Sequence, residues 1–148
     1  MAIALGSNLG DRASHLAFAV EHLRTLGPDL RVSSFIETDP VGVGPQPLFL
    51  NGAVAGSTDL SARQVLGFLL ALERERGRER PFTGAPRTLD LDLVLYGNSI
   101  IDEPGLTVPH PRFRDRAFVL APLAEIAGGM QDPVTGLTIR ELAERARL

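Results

Sequence analysis

A short stretch near the middle of the chain, residues 89–96, constrains the fold more than any other part of the sequence. It reads LDLDLVLY, so leucine occupies every second position. Successive side chains of a strand point to opposite faces of its sheet. The leucines that would share the core face are Leu89, Leu91, Leu93 and Leu95. The pattern therefore predicts a strand with an apolar core on one face and the carboxylates of Asp90 and Asp92 on the other.

The two carboxylates have two possible explanations. Strand geometry sets their Cα atoms roughly 6.5 to 7 Å apart, close enough to repel each other. A hard cation such as Mg²⁺ would explain the pair, because it takes carboxylate, water and phosphate oxygens. The alternative is a half-exposed strand whose solvent face happens to be acidic. Arg87, which comes just before the strand, favours the metal site, because an arginine entering that site would contact phosphate.

The flanking segments predict the rest of the fold. Apolar patterns and caps predict strands at 1–5, 30–36, 48–55 and 88–96, and helices at 11–26, 61–76, 118–126 and from 138 onward. The predicted core face of the second helix is Val65, Leu66, Leu69, Leu70 and Leu72. Pro122 is expected to limit the third helix. The order β-α-β-β-α-β, followed by helices, predicts a ferredoxin-like α+β sandwich in which helices pack on one face of a mainly antiparallel sheet. With 44% hydrophobic residues, the 148 residues are expected to form a single domain, 1–148.

Composition and charge exclude several classes of function. The chain has no cysteine, which removes disulfides, thiolate metal sites and cysteine nucleophiles. Its net charge is −3, whereas proteins that wrap nucleic acid normally carry a basic excess. No apolar run approaches the roughly 18 to 20 residues of a membrane span, so no membrane contact is expected and the cytoplasm is the expected location. The basic residues are clustered: five arginines lie within 74–87 and three within 112–116. Such local patches suit a small anionic ligand.

Two long connections, 38–47 and 78–86, have the length of binding loops. Arg78 lies in the second of them, past Gly77, where an arginine could close over a transferring phosphoryl group. For Arg74 and Arg76, at the helix end, a solvated surface is the simpler interpretation. His110, between two prolines, could equally bind phosphate or make a structural hydrogen bond.

Four segments taken together resemble a known family. They are GSN at 6–8, RTLDLD at 87–92, VPHP at 108–111 and RAFVL at 116–120, in this order. The chain resembles the 6-hydroxymethyl-7,8-dihydropterin pyrophosphokinases over nearly its whole length. The resemblance implies the same fold, and it implies transfer of the pyrophosphoryl group of ATP to the pterin hydroxymethyl group with release of AMP, a step of folate biosynthesis.

The resemblance also implies roles for individual residues. Asp90 and Asp92 would hold two Mg²⁺ ions, and together with Arg78 and Arg87 they would form the catalytic set. The expected ATP-binding residues are Arg78, Arg87, Thr107, His110 and Arg116. The expected pterin-binding residues are Thr38, Val41, Phe49, Asn51 and Phe118, with the pterin stacked between the two phenylalanines. The partners would be these two small molecules alone, and the protein is expected to be a monomer.

One departure from the family pattern lies in the loop 78–86. Many members carry an aromatic residue, often Trp, where this chain has Gly84, and the loop is about one residue shorter here. Phe82 could cap the pterin instead, and the alignment of Arg80 is affected by the same change. The alternative from a different class is a non-catalytic nucleotide- or pterin-binding module in which the aspartates are structural.

Overall fold

This computed structural model describes residues 1–39, 47–77 and 87–146. The strands are β1 (Ala2–Ser7), β2 (Arg31–Val32), β3 (Ile36–Thr38), β4 (Phe49–Ala55), β5 (Asp90–Leu95), β6 (Ile101–Glu103) and β7 (Leu106–Val108). The α-helices are α1 (Arg12–Leu23), α2 (Ala62–Glu75), α3 (Ala117–Ala127) and α4 (Ile139–Ala146). Two short 3₁₀ turns, Arg24–Leu26 and Phe113–Asp115, precede β2 and α3.

The main sheet has the order β2-β4-β1-β5, and β3 pairs with β4 beside β2. All of its pairings are antiparallel. The order of elements from β1 to β5 is the predicted β-α-β-β-α-β, apart from the split of one strand into β2 and β3. The predicted ferredoxin-like α+β sandwich is therefore confirmed. A separate hairpin joins β6 to β7.

The predicted strand 30–36 is interrupted. β2 pairs with the end of β4 and β3 with its beginning, so the two short strands occupy one edge of the sheet in succession. Between them, the Ser33 hydroxyl accepts a hydrogen bond of 2.8 Å from the Ala53 N–H and donates one to the Ser34 carbonyl. A side chain thus replaces the backbone acceptor that a continuous strand would have supplied.

The expectation that helices cover one face of the sheet is wrong. One apolar cluster includes Ile3 and Leu5 of β1 and the inner residues of α1 and α2. A second includes Ala2 and Ala4 of β1 and the inner residues of α3 and α4. Both faces of β1 are apolar, so both must be covered from water. Pro122, expected to limit α3, lies buried within it.

The predicted alternation holds for three of the four leucines in and just before β5. Leu89, Leu91 and Leu93 belong to the cluster beneath α1 and α2, whereas Leu95 belongs to the opposite cluster. The register against β1 shifts between the pairs Ala2↔Leu95 and Ile3↔Leu93, which leaves an extra residue in β5. Such a bulge moves every later side chain to the other face. The two aspartates precede the bulge, so their predicted orientation is unaffected.

The predicted helix caps are confirmed. Asp11 accepts a hydrogen bond from the Ser14 N–H, and Ser61 with Gln64 forms a complete capping box. Thr138 and Glu141 make the same reciprocal bonds before α4. In α2, the residues buried as predicted are Val65, Leu69 and Leu72, and Leu66 is partly buried against the same cluster. Leu70 is 40% exposed, so its predicted place in the core is wrong. Within the described ranges, no helix is long and apolar enough to cross a bilayer.

Candidate active site

The candidate site lies on the sheet face that carries Asp90 and Asp92. In the β1–β5 ladder, Asp90 is opposite Gly6 and Asp92 is opposite Ala4. On the other side of β1, Gly6 is opposite Asn51. Residues directly opposite each other share a face, so Asn51, Gly6 and Asp90 form one row across the sheet.

Gly6 leaves the middle of this row open. A Cβ atom at this position would lie 3.0 Å from Asn51 Oδ1 and 3.5 Å from Phe49 Cδ1. A side chain there would press on the Asn51 amide and would lie in ordinary van der Waals contact with the Phe49 ring. The first strand was predicted to end at residue 5, but Gly6 lies in the strand itself and leaves space between Asn51 and Asp90.

Phe49, Asn51 and Thr38 form one side of the site. Asn51 is buried, and its Nδ2 donates a hydrogen bond to Thr38 Oγ1 across the β3–β4 ladder. Thr38 is itself opposite Phe49 in that ladder. An aromatic ring beside a fixed amide is an arrangement that can take a flat, hydrogen-bonding heterocycle. The sequence predicted all three residues for this purpose.

Arg87 lies between the aromatic side of the site and the carboxylates. Its Cζ is 5.7 Å from the centroid of the Phe49 ring, and its Nη1 is 3.7 Å from Asp90 Oδ2. The guanidinium is half-buried, in a position where an arginine can meet an anionic ligand with two parallel N–H groups.

Asp90 and Asp92 offer a donor set that fits Mg²⁺. Both are half-buried on neighbouring outward positions of β5 and present hard carboxylate oxygens. Among the described residues, no group of three or more histidine, cysteine or carboxylate side chains could enclose a metal ion. A two-carboxylate site is what Mg²⁺ uses when water and substrate phosphates complete its shell.

A shallow depression next to Asp92 contains His110 and Arg116. Its lining residues are Ala4, Asp92, Val94, His110, Phe113, Arg116 and Val119. The His110 N–H donates a 3.0 Å hydrogen bond to the carbonyl of Val94, which fixes the residue beside β5. His110 Nδ1 accepts a 3.2 Å hydrogen bond from the Arg112 N–H. In the neutral ring the proton is therefore on Nε2, which is left as a donor.

The electrostatic environment keeps His110 neutral. Burial lowers the pKa of His110, and the charge of Arg116 lowers it further, while Asp90 opposes the shift. The histidine is thus a hydrogen-bond donor near neutral pH rather than a cation. Of the two interpretations open from the sequence, a phosphate-binding role and a structural one, the geometry supports both: Nδ1 is used structurally, and Nε2 can serve a ligand.

An internal ion pair holds the turn that carries Arg116. Arg114 donates to the fully buried Asp132 through Nε at 2.5 Å and through Nη2 at 2.9 Å. Burial alone would raise the pKa of Asp132, but hydrogen bonds from Arg114, Thr135 and Val134 lower it to about 2. Arg116 is the N-cap residue of α3, and its Cζ lies 5.6 Å from the centroid of the Phe118 ring.

The predicted site residues fall into three groups. Those that line the sheet face or the depression beside it are Thr38, Phe49, Asn51, Arg87, Asp90, Asp92, His110 and Arg116. Phe118 is half-buried in the first turn of α3 beside Arg116, and Thr107 is exposed in β7, opposite Asp102. Arg78 and Val41 lie outside the described residues, as do Arg80, Phe82 and Gly84.

Sequence reasoning missed several supporting residues. Arg76, expected to be solvated, donates from Nε to His15 Nδ1 at 2.9 Å, and its guanidinium lies 4.6 Å from the Phe18 ring centroid. Asn8 and the Arg114–Asp132 pair were not assigned roles. A single sequence signals them weakly, because their partners are distant in the chain; for Asn8, the hint was an asparagine shortly after the first predicted strand.

A family model described as 7,8-dihydro-6-hydroxymethylpterin-pyrophosphokinase (HPPK) matches residues 2–128. The chain belongs to this family. The match extends from β1 to just past α3, so it includes every predicted site residue. The remaining residues contain the turn that supplies Asp132, together with α4.

Curated relatives agree with the family assignment. The 2-amino-4-hydroxy-6-hydroxymethyldihydropteridine pyrophosphokinase of Bacillus subtilis is 45% identical over 135 residues, covering 90% of this chain and 81% of the relative. The protein of the same name from Pseudomonas aeruginosa is 42% identical over 134 residues, covering 88% and 82%. The folic acid synthesis protein fol1 of Pneumocystis carinii is 40% identical over 144 residues, but the chain spans only 20% of it.

Among solved structures, the chain is similar to a Plasmodium falciparum HPPK-DHPS wild type crystallised with SDX-DHP. The TM-score is 0.67 at 14% sequence identity, and the match covers 97% of this chain and 43% of the other. At this identity the likeness shows the fold alone, and it agrees with the sandwich described above.

Proposed function

We propose that the protein transfers the pyrophosphoryl group of ATP to the hydroxymethyl oxygen of 6-hydroxymethyl-7,8-dihydropterin. The observation that carries the proposal is the row Asn51–Gly6–Asp90. It sets an amide and an aromatic side chain on one side of an open strand and a carboxylate on the other. A bound heterocycle could thereby reach the carboxylate side with a short substituent.

The reaction requires one bond to form and one to break. The hydroxymethyl oxygen attacks the β-phosphorus of ATP and loses its proton, and the bond from that phosphorus to the α,β-bridging oxygen breaks, so AMP leaves. Little covalent chemistry is asked of the protein. Positioning and charge neutralisation supply most of the rate in such transfers.

Asp90 and Asp92 would hold Mg²⁺ in this proposal. Bound Mg²⁺ would neutralise the phosphate charge and lower the pKa of the attacking hydroxyl. Two ions are proposed, since two carboxylates at neighbouring outward positions of a strand can serve a metal pair. The reaction's dependence on Mg-ATP belongs to the same proposal.

Arg87, His110 and Arg116 would bind the triphosphate. Arg87 reaches the space beside Asp90, where a transferring group would lie. His110 would donate from Nε2 to a phosphate oxygen, and Arg116, in the same depression, would add a positive charge. Phosphate oxygens placed here would lie on the same side of Gly6 as Asp90.

Phe49 and Asn51 would bind the pterin. The ring of Phe49 would stack on the flat heterocycle, and the Asn51 amide would meet its polar edge. Thr38 would hold that amide in place through the hydrogen bond that it already accepts. The roles of Arg78, Val41, Thr107 and Phe118 remain predictions from the sequence.

The proposal treats the chain as one domain, 1–148, acting as a monomer in the cytoplasm. ATP is a cytoplasmic metabolite and the chain contains no cysteine, so it needs no oxidising compartment. Size-exclusion chromatography with light scattering would test the monomer directly.

The proposal is tested by incubating the protein with Mg²⁺, ATP and hydroxymethyl-dihydropterin and separating the nucleotides. AMP formation that depends on the pterin supports it. ADP instead of AMP would indicate an ordinary kinase. Binding of both ligands without any product would favour the non-catalytic binding module.

A further inference from the structure

Asn8 connects two segments that are far apart in the sequence. It follows β1 and is fully buried. Its Oδ1 accepts a 2.8 Å hydrogen bond from the Arg87 N–H, and its own N–H donates a 3.0 Å bond to the Arg87 carbonyl. Its Nδ2 donates at 3.3 Å to the carbonyl of Pro47. One buried side chain therefore binds the backbone on both sides of the sheet face.

The two segments that Asn8 binds carry opposite sides of the candidate site. Arg87 lies on the carboxylate side, with its Nη1 3.7 Å from Asp90 Oδ2. Pro47 is two residues before Phe49, the aromatic residue of the pterin side. The Arg87 Cζ also lies 5.7 Å from the centroid of the Phe49 ring. A shift at Asn8 would change the distance between the phosphate side and the pterin side.

A second side chain of the same turn supports this interpretation. Arg12, at the start of α1, donates from Nη1 to the Leu48 carbonyl at 2.9 Å and from Nη2 to Glu37 Oε1 at 2.6 Å. It thus binds β3 and the residue just before β4. Arg12 is more exposed than Asn8, and exposed ion pairs contribute little. The buried amide of Asn8 is the stronger constraint, because a buried polar group fixes its partners.

We propose that Asn8 is a positioning residue for the reaction. It would act through the backbone of Arg87 on the nucleotide and through the backbone at Pro47 on the pterin. The two ends of its amide have separate roles: the Oδ1 atom fixes the phosphate side, and the Nδ2 atom fixes the pterin side. This inference rests on the proposed function, since it concerns the same two substrates.

Three variants test the proposal. Asn8→Ala removes the side-chain bonds with Arg87 and Pro47. Asn8→Asp, assayed at pH 8, keeps an oxygen for the Arg87 N–H but has no proton to donate to the Pro47 carbonyl. Tyr96→Phe is the matched control, because it removes one side-chain bond to a backbone carbonyl, that of Leu60, from the opposite end of β5. Initial rates with each substrate varied give separate KM values, and thermal denaturation gives Tm.

We expect Asn8→Asp to change the KM for the pterin more than the KM for ATP. For Asn8→Asp, the pterin KM rises about fivefold or more while the ATP KM stays within about twofold, as the loss of the hydrogen bond to the Pro47 carbonyl implies. For Asn8→Ala, both KM values rise. For Tyr96→Phe, Tm falls and both KM values stay at the level of the unaltered enzyme.

Other outcomes overturn the proposal. If both Asn8 variants lower Tm as Tyr96→Phe does and leave both KM values unchanged, Asn8 is only structural. If Asn8→Asp changes the two KM values equally, the separate roles of its two ends are wrong. An unaltered enzyme that forms no AMP would instead refute the proposed function. Should Asn8→Ala fail to fold, Asn8→Asp alone still decides, since it preserves shape and one bond.

Discussion

Gly6 of β1 lies directly opposite Asp90 of β5 on one side and Asn51 of β4 on the other, so β1 contributes no side chain between these two residues. The glycine has ordinary extended backbone within the strand, so its conformational freedom does not explain it. Space explains it: a Cβ atom would come within 3.0 Å of Asn51 Oδ1. In the proposed reaction, the pterin hydroxymethyl group accepts the pyrophosphoryl group. It would pass over Gly6 on this face of the sheet.

Gly6→Ala is expected to raise the KM for the pterin by about tenfold, which corresponds to about 1.4 kcal/mol of lost binding. The added methyl group would displace the Asn51 amide, which meets the pterin, while the ATP side would be affected less. Steady-state kinetics with each substrate varied would show this. Equal effects on both substrates would contradict the placement of the pterin beside Gly6.

Gly67→Ala is the matched control for that substitution. Gly67 lies exposed in the middle of α2, and a Cβ there would meet nothing within 4 Å. The change is expected to raise the free energy of unfolding by about 0.5 to 1 kcal/mol, because glycine loses more chain entropy in a helix than alanine does. Urea denaturation measures it, and both KM values should stay unchanged. A loss of stability would contradict the description of this helix face as open.

Asp92→Asn is expected to lower turnover by about a hundredfold or more, since it removes a charge that the metal site requires. The fold should persist, because Asp92 faces the depression rather than the leucine cluster. Circular dichroism would report the fold and the AMP assay the rate. A fall in thermal stability as large as that from deleting a core side chain would show that Asp92 is structural instead.

The pKa of His110 is expected to lie below the ordinary 6.5 in the free protein and to rise when the α,β-methylene analogue of ATP binds. The first shift follows from burial and from Arg116, and the second from the negative phosphate near Nε2. Histidine NMR resonances followed across pH 5 to 8 measure both. A His110 resonance that ignores the nucleotide would remove it from the ATP site.

The lowered pKa of His110 also determines how folding stability depends on pH. A histidine whose pKa is lower in the folded state binds fewer protons there than in the unfolded chain. Folding stability is therefore expected to fall as pH drops below about 6.5, the unfolded value. His15, whose pKa burial and Arg76 also lower, contributes in the same direction. His110→Gln should remove only part of the effect.

Asp132→Asn is expected to lower the free energy of unfolding by about 1 to 3 kcal/mol, because it weakens hydrogen bonds to a charged group. The pKa of Asp132 is depressed to about 2, so its contribution is present above about pH 4 and is lost as pH falls toward 2. Urea denaturation from pH 2 to 7 would show a shallower pH dependence in the variant. Identical pH dependences would contradict the Arg114–Asp132 pair.

The sequence predicted the local features of the site well. Alternation along β5 placed Asp90 and Asp92 on one face, and three of the four leucines lie where the pattern required. Leu95 departs because a bulge depends on the pairing of β5 with β1, which a single strand does not reveal. The same limit applies to the helices on both sheet faces, which follow from how β1 packs.

Residues that act through distant backbone could not be predicted from the sequence. Asn8 and Arg87 are 79 positions apart, and Asp132 meets Arg114 across 18 positions. The spacing of such residues does not reveal that they interact, because the periodicity of a helix or strand applies only to residues within one element. The family resemblance supplied Phe49, Asn51 and His110, whose roles composition and periodicity alone left open.

The central claim is that a pyrophosphoryl group, rather than a single phosphoryl group, moves from ATP to the pterin. Phosphorus NMR of the pterin product after reaction with Mg²⁺ and ATP tests it most directly. If a pyrophosphoryl group is transferred, the pterin product has two coupled phosphorus resonances and one equivalent of AMP is released. A single phosphorus resonance with ADP, or an unaltered pterin, would contradict it.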